Sequence, residues 1–416
     1  MTHLINRRDF LKTLSLLSGG AILGQTLPLA FAQDESSTRP LLMAHYMPWY
    51  QTPEITGYWG WHWTMDHFDP SKTDADGRRE IASHYMPLTG AYDSSDPAVL
   101  EYQVALMKLS GIDGVIVDWY GMENFRDYAV INTATNKLFE VIQQAGLKFA
   151  ICYEDQTIKH MVDNNHLTRE EAVPHGTEVM QYMDEKWFNT PNYLKYNDQP
   201  VLLTFGPQYF NSAPDWETMF AAVDPSPVLI TLDEHLVSNA LGSYPWVPGF
   251  GITINQAVVE GHLSQFYRKA RRYDYLIGGA FPGFHDIYAE AGVRSSYGFL
   301  DAENGTILRF TLQMALEQNP EVIQLITWND YGEGTMIEPT EEYGYAYLEI
   351  VQETRRQTDP EFAFSADDLR LPLEIFTRRK SLADNTEAQQ QLDAAFAAII
   401  AGDVAAAREQ VQKLAS

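Results

Sequence analysis

Cysteine is almost absent. Cys152 is the only one in 416 residues, which excludes a disulfide within the chain and any paired-thiol metal or redox motif. It lies inside the apolar run "LKFAICY" (147–153), which reads as a core position. Basic residues are scarce as well: 29 Lys and Arg face 56 Asp and Glu, a formal charge of −27. So acidic a chain argues against nucleic acid and anionic membranes as partners and fits a neutral ligand best. No "HExxH", no glycine-rich phosphate loop and no "GxSxG" elbow occurs, so the zinc-protease, nucleotide and serine-hydrolase chemistries tied to those spacings are unsupported. The eleven histidines are scattered, so no metal or other cofactor is expected. Beyond the N-terminus no stretch is long and apolar enough to span a bilayer.

The N-terminus itself reads as an export signal. "NRRDFLKT" (6–13) carries Arg7 and Arg8, an apolar stretch follows, and Ala30-Phe31-Ala32 supplies a small-x-small cleavage site. Gly19, Gly20, Gly24 and Pro28 interrupt the stretch, which weighs against a membrane anchor. Residues 1–32 therefore resemble a twin-arginine leader, and a periplasmic or secreted bacterial protein starting near Gln33, with no membrane contact after leader removal, is expected. Loss of three basic residues and one acidic residue takes the formal charge to −29.

With 45% hydrophobic and 12% aromatic residues, the remaining chain can bury one large core. Eight short apolar or β-branched runs recur with helical patterns between them: 41–46, 113–119, 147–153, 200–205, 227–232, 250–255 ("FGITIN"), 275–281 and 322–328. Repeated βα units numbering eight predict an α/β fold, a (β/α)₈ TIM barrel with long βα loops, over residues 33–360. Residues 361–416 form a separate C-terminal segment whose alanine-rich end reads as a helical hairpin broken at Gly402-Asp403.

In such a barrel the chemistry sits at the C-terminal ends of the strands. Those ends carry His45 and Tyr46, then Asp118, Trp119 and Tyr120, then Glu154, Glu234, Asn255 and Phe284, and finally Trp328, Asn329, Asp330 and Glu333. The first loop adds Trp49, Tyr50, Trp59, Trp61, His62 and Trp63. Aromatic faces suit the C–H face of a pyranose, and carboxylates and amides suit its hydroxyls, so a carbohydrate is the expected partner. Glycosidic cleavage needs one carboxylic acid and a second carboxylate, and "TWNDYGEGTMIEP" (327–339) offers Asp330 and Glu333 as the catalytic pair. The spacing "DYGE" equally fits a helix capping box. Glu154, an acid at an independent strand end, tips the reading toward catalysis.

Taken together, "GAYDSSDPAVLEYQVALMKLSGIDGVIVDWYG" (90–121), His62-Trp63, Asp69-Pro70, "PGF" (282–284) and "WNDYGEGTMIEP" (328–339) resemble the endo-α-mannosidase and endo-α-1,2-mannanase family, glycoside hydrolase family 99. The resemblance implies a metal-independent barrel that cleaves α-mannosidic bonds within a chain. By position, Asp330 would deprotonate the sugar's own 2-hydroxyl, Glu333 would serve as acid and then base, and Glu154 would line the substrate cleft. The family's first carboxylate is normally glutamate, and a histidine stands where this chain has Gly332. The wording "WNDYGE" is similar instead to the α-1,3-glucanases of family 71, whose aspartate would activate water with inversion. A catalytically impaired sugar-binding barrel is the third expectation, prompted by the shorter Asp330.

Overall fold

Seven of the eight runs become strands of a closed parallel barrel in the computed structural model, which describes residues 39–233 and 237–414. The leader and Glu234 lie outside the described residues. The barrel strands are β1 (Leu41–Tyr46), β2 (Gly114–Trp119), β3 (Lys148–Tyr153), β4 (Gln199–Thr204), β5 (Val228–Leu232), β6 (Gly242–Tyr244), β7 (Tyr275–Ala280) and β8 (Val322–Leu325). Ala44 of β1 stands opposite Leu325 of β8, and Cys152 of β3 opposite Leu203 of β4, so every strand has two parallel neighbours and no edge remains. This is a (β/α)₈ TIM barrel.

Alternation along each strand decides what fills it. Met43, Ile116, Ala150, Leu203, Ile230, Ile277 and Val322 form the interior, while Leu42, Val115, Val117, Phe149 and Ile151 pack outward on the helices. Two residues further up, the inward positions turn polar: His45, Asp118 and Gln324 follow Met43, Ile116 and Val322. The barrel is thus apolar below and polar at its C-terminal mouth.

The sixth strand corrects the sequence reading. "FGITIN" has the stronger β propensity, yet Ile252–Ile254 pairs with Gly298–Leu300 in a small separate sheet, and Ile252 is 62% exposed. The barrel position goes to Gly242-Ser243-Tyr244, wedged between β5 and β7. A Cβ at Gly242 would lie 2.2 Å from the Tyr275 carbonyl oxygen, so close approach rather than propensity selects this segment. Asn255 is consequently not a barrel strand end: it caps helix Gln256–Ala270, its side chain accepting from the Val258 N–H.

The helix Pro97–Ser110 shows how the outer ring is built. Asp96 caps it by accepting from the Ala98 N–H, Pro97 opens it, and Gly111 ends it at φ 81°. At its end Arg355, 1% exposed, donates to the Gly111 carbonyl and pairs with Asp113, which also binds Arg39 at 3.0 Å. Helices Leu371–Ser381, Thr386–Ile400 and Val404–Lys413 follow, burying Leu392, Phe396 and Ile399. Arg379 bridges to Glu101 at 2.8 Å and Lys380 to Asp96, fastening them to Pro97–Ser110. No helix among the described residues is long and apolar enough to cross a membrane.

Candidate active site

The turn after β8 explains the placement of the two carboxylates. Asp330 donates its N–H to Thr327 Oγ1 (2.8 Å) and accepts the Glu333 N–H on Oδ1 (2.9 Å). The Asp330 carboxyl therefore does cap this turn, but the reciprocal half of a capping box is missing, because the Asp330 N–H is already taken. The Glu333 carboxyl instead enters a cavity, where the Tyr288 hydroxyl donates to Oε1 at 3.4 Å. Gly334, at φ 66°, passes so close to His285 that a Cβ would stand 2.7 Å from its carbonyl oxygen, so the tight return of the chain depends on glycine.

That cavity, about 200 Å³, is lined by four carboxyls from three strand ends, Asp118, Glu154, Asp330 and Glu333. Rings surround them: Trp49, Tyr50, Trp61, His62, Tyr120, Phe205, Trp246 and Tyr288. His45, Gln156, Met47, Met65 and Gly332 complete the described lining, which contains no lysine or arginine. Burial pushes Asp330 up to about 7 against the backbone N–H groups of Glu333 and Gly332. Burial, then repulsion from Asp330 and Asp286, holds Glu333 well above the carboxylate range, with Tyr288 and Trp246 hydrogen bonds opposing. Asp118 is raised by burial and then by Glu154, Asp330 and Glu333, and Glu154 by burial to about 8. Like charges this close cannot all ionise, so the site holds protons at neutral pH.

Two further cavities continue from it. One, about 560 Å³, shares Trp61, His62, Tyr120 and Gln156 and adds Tyr58, Arg126 and His160. The other, about 430 Å³, shares Phe205, Trp246 and Glu333 and extends past Phe284 to Phe250. Together the three form a groove with the carboxyls in its middle.

Of the residues expected from sequence, Trp49, Tyr50, His62, Asp118, Tyr120 and Glu154 line the central cavity with Asp330 and Glu333, and Phe284 lines the second flank. His62 stacks on Trp49 (4.1 Å, 6°) and burial lowers it to about 3, so it is neutral. Tyr46, Trp63, Trp119, Trp328 and Asn329 are not in the cavity; each is fully buried. Tyr46 and Trp119 fall on the outward side of the pleat, bonding Gln103 and Asn132. Trp63 donates to the Tyr92 carbonyl and packs beneath Tyr50. Asn329 is wholly used in tying β8 to β1: Oδ1 accepts from Met47 N–H (2.8 Å), and Nδ2 donates to the Met47 carbonyl and the Tyr92 hydroxyl. Sequence reasoning missed Trp246, Tyr288 and Gln156. Trp246 lies two residues beyond β6, so misplacing that strand hid it.

Behind the turn sits another acid, Glu338, 1% exposed. It accepts from the Tyr92 hydroxyl (2.9 Å), the Tyr331 hydroxyl (2.8 Å) and Gln103 Nε2 (2.7 Å), while burial raises it to about 7. Glu338→Ala would strand three buried donors and is expected to cost about 3 kcal/mol in urea unfolding. A change under about 1 kcal/mol would show that the network does not hold the turn.

One set of residues has the donor types of a metal site. Ligand atoms of His45, Asp118 and Cys152 lie within 4.8 Å of one another, and His45 Nε2 and Asp118 Oδ1 have no hydrogen-bond partner among the described residues. The set fits a metal poorly, because burial holds the Cys152 thiol well above its usual value while Sγ contacts the Tyr244 hydroxyl at 3.4 Å; the thiolate a metal requires is disfavoured. His45 is also neutral, lowered by burial to about 4, with Nδ1 facing Gln324 Oε1 at 2.9 Å.

Comparison with known proteins agrees with this architecture. Residues 38–231 match the family model described as Glycosyl hydrolase family 99. Glycoprotein endo-alpha-1,2-mannosidase from Mus musculus is 24% identical over 328 residues, 71% of this chain and 67% of that protein. The protein of the same name from Rattus norvegicus is 24% identical over 378 residues, 81% of this chain and 78% of that one. The structure of the GH99 endo-alpha-mannosidase from Bacteroides thetaiotaomicron superposes with a TM-score of 0.55 at 19% identity, covering 79% of this chain and 98% of that one, a likeness in fold. The chain is a glycoside hydrolase similar to glycosyl hydrolase family 99 across residues 38–231.

Proposed function

We propose that this enzyme is exported and cleaves α-mannosidic bonds inside a glycan chain, using Glu333 as acid and Asp330 as base. The observation that carries the reading is that both side chains line one cavity, with Asp118 and Glu154 beside them and a groove leading away on two sides. Cavities on both sides of the carboxyls accommodate a chain that continues past the cut bond, which favours internal cleavage. The relatives named for endo-α-mannosidase activity support the substrate class, and Arg7-Arg8 with the site at Ala30–Ala32 supports export.

Asp330 takes the proton of the 2-hydroxyl, whose oxygen attacks C1 as the glycosidic C–O bond breaks and Glu333 protonates the leaving oxygen. Glu333, now ionised, takes a proton from water as that water opens the 1,2-anhydro sugar at C1, and Asp330 returns its proton to O2. His45 Nε2 and Asp118 Oδ1, buried and unpartnered among the described residues, supply hydrogen-bonding capacity for sugar hydroxyls.

Asp330 itself favours a second reading. An aspartate is one methylene shorter than the glutamate that the resemblance leads one to expect, and an ångström of misplacement can cost about 10²-fold. The shorter side chain leaves room for a water, which would attack with inversion. Proton NMR of the first product from α-mannan and from α-1,3-glucan separates the two. Retained oligosaccharides from α-mannan are expected; inverted products from α-1,3-glucan would select the second reading, and saccharide binding without turnover would leave a non-catalytic barrel.

A further inference from the structure

We infer that the groove has a fixed polarity and that Phe250 is the platform for the released, reducing-end part of the glycan. The inference rests on Glu333 being the acid, as proposed above. Of the four carboxyls in the central cavity, Glu333 alone also lines the flanking cavity toward Phe250, and none of the four lines the opposite flank. The oxygen that an acid protonates belongs, after cleavage, to the released portion. The chain beyond that oxygen therefore runs from Glu333 along Trp246 toward Phe250, and the sugar retained at the cut end extends toward His62, Tyr120 and Tyr58.

Phe250 is built for contact with something outside the barrel. The residue is 55% exposed, although a phenylalanine gains from burial. It sits between two glycines, and Gly251, at φ 69°, donates its N–H to the Tyr297 carbonyl at 2.6 Å. Gly249 packs so closely that an added Cβ would be 3.3 Å from the Tyr297 Cβ. The exposed ring is thus presented on a pinned turn, 6.4 Å from and edge-on to His262. An apolar ring held open at the end of a groove, with no lysine or arginine among the described residues lining that flank, suits the C–H face of a neutral sugar rather than an anionic one.

The test compares Phe250→Ala with wild type on two substrates that share the same retained sugar: an α-mannan oligosaccharide, and the corresponding glycosyl fluoride, which has no leaving chain. The expected result is about a tenfold loss of kcat/KM on the oligosaccharide, carried by KM, no change on the fluoride, and recovery in Phe250→Trp. Tyr58→Ala, on the other flank, is expected to affect both substrates alike. Equal losses on both substrates for Phe250→Ala, no loss on either, or a loss confined to the oligosaccharide for Tyr58→Ala, would overturn the assigned polarity while leaving the glycosidase reading intact. A wild type that turns over neither substrate would instead remove the reading on which the polarity rests.

Discussion

Glu333→Gln is expected to lower kcat on an unactivated α-glycan by about 10³-fold, with much less loss on a glycosyl fluoride, whose departure needs no proton. Shape is preserved by the substitution, and the Tyr288 contact at 3.4 Å can persist, so the change isolates the missing proton. Burial and the nearby Asp330 keep Glu333 in its acid form at neutral pH, which is the form that protonation of a leaving oxygen requires. Equal losses on both substrates would point to a positioning role, and undiminished cleavage would remove Glu333 from the reaction. Steady-state kinetics on the two substrates distinguishes these outcomes.

The second large effect is of pH, and it acts in opposite directions on activity and stability. Asp330, raised to about 7, must be ionised to take a proton, so kcat/KM should climb as pH rises through about 7 and fall once Glu333 loses its proton at higher pH. For stability the sign follows from the folded state holding its protons more tightly than the unfolded chain. A carboxyl whose folded value is raised contributes least destabilisation below its unfolded value near 4, and the penalty grows as pH rises toward the folded value. An acid moved from 3.8 to about 7 corresponds to on the order of 4 kcal/mol across that window. Urea midpoints should therefore fall between pH 5 and pH 8, and the fall should be shallower in Asp118→Asn, whose carboxyl is raised by burial and by the other three acids. A midpoint flat from pH 5 to 8, or an acidic activity limb near pH 4, would show that these acids ionise freely.

Much of this was legible in the sequence, and the residues that were not share a physical reason. Short, nearly continuous apolar runs between helical patterns give the barrel, because strands covered on both faces are apolar along most of their length. Asp330 and Glu333 stood out because glycines and acids crowd one strand end. Strand ends alone did not separate His45 from Tyr46 or Asp118 from Trp119, whereas the pleat does: the inward member follows Met43 or Ile116 by two residues. Gly242–Tyr244 left no such trace, since a three-residue strand selected by the narrow space beside Tyr275 needs no β-branched side chain. Trp246 was lost with it. Asn329, in the motif yet spent on Met47 and Tyr92, shows that proximity to catalytic acids does not by itself make a ligand contact.

The missing lysine and arginine in the central cavity have a consequence for recognition of charge. During departure of the leaving group, the sugar ring takes on oxocarbenium character, and walls made of carboxyls and ring faces favour that cation over the neutral ground state. A small molecule with a basic nitrogen at the anomeric position would exploit the same asymmetry, drawing a proton already stored among Asp118, Glu154, Asp330 and Glu333. The acid-lined chamber thus favours a protonated amine over an anion of equal size.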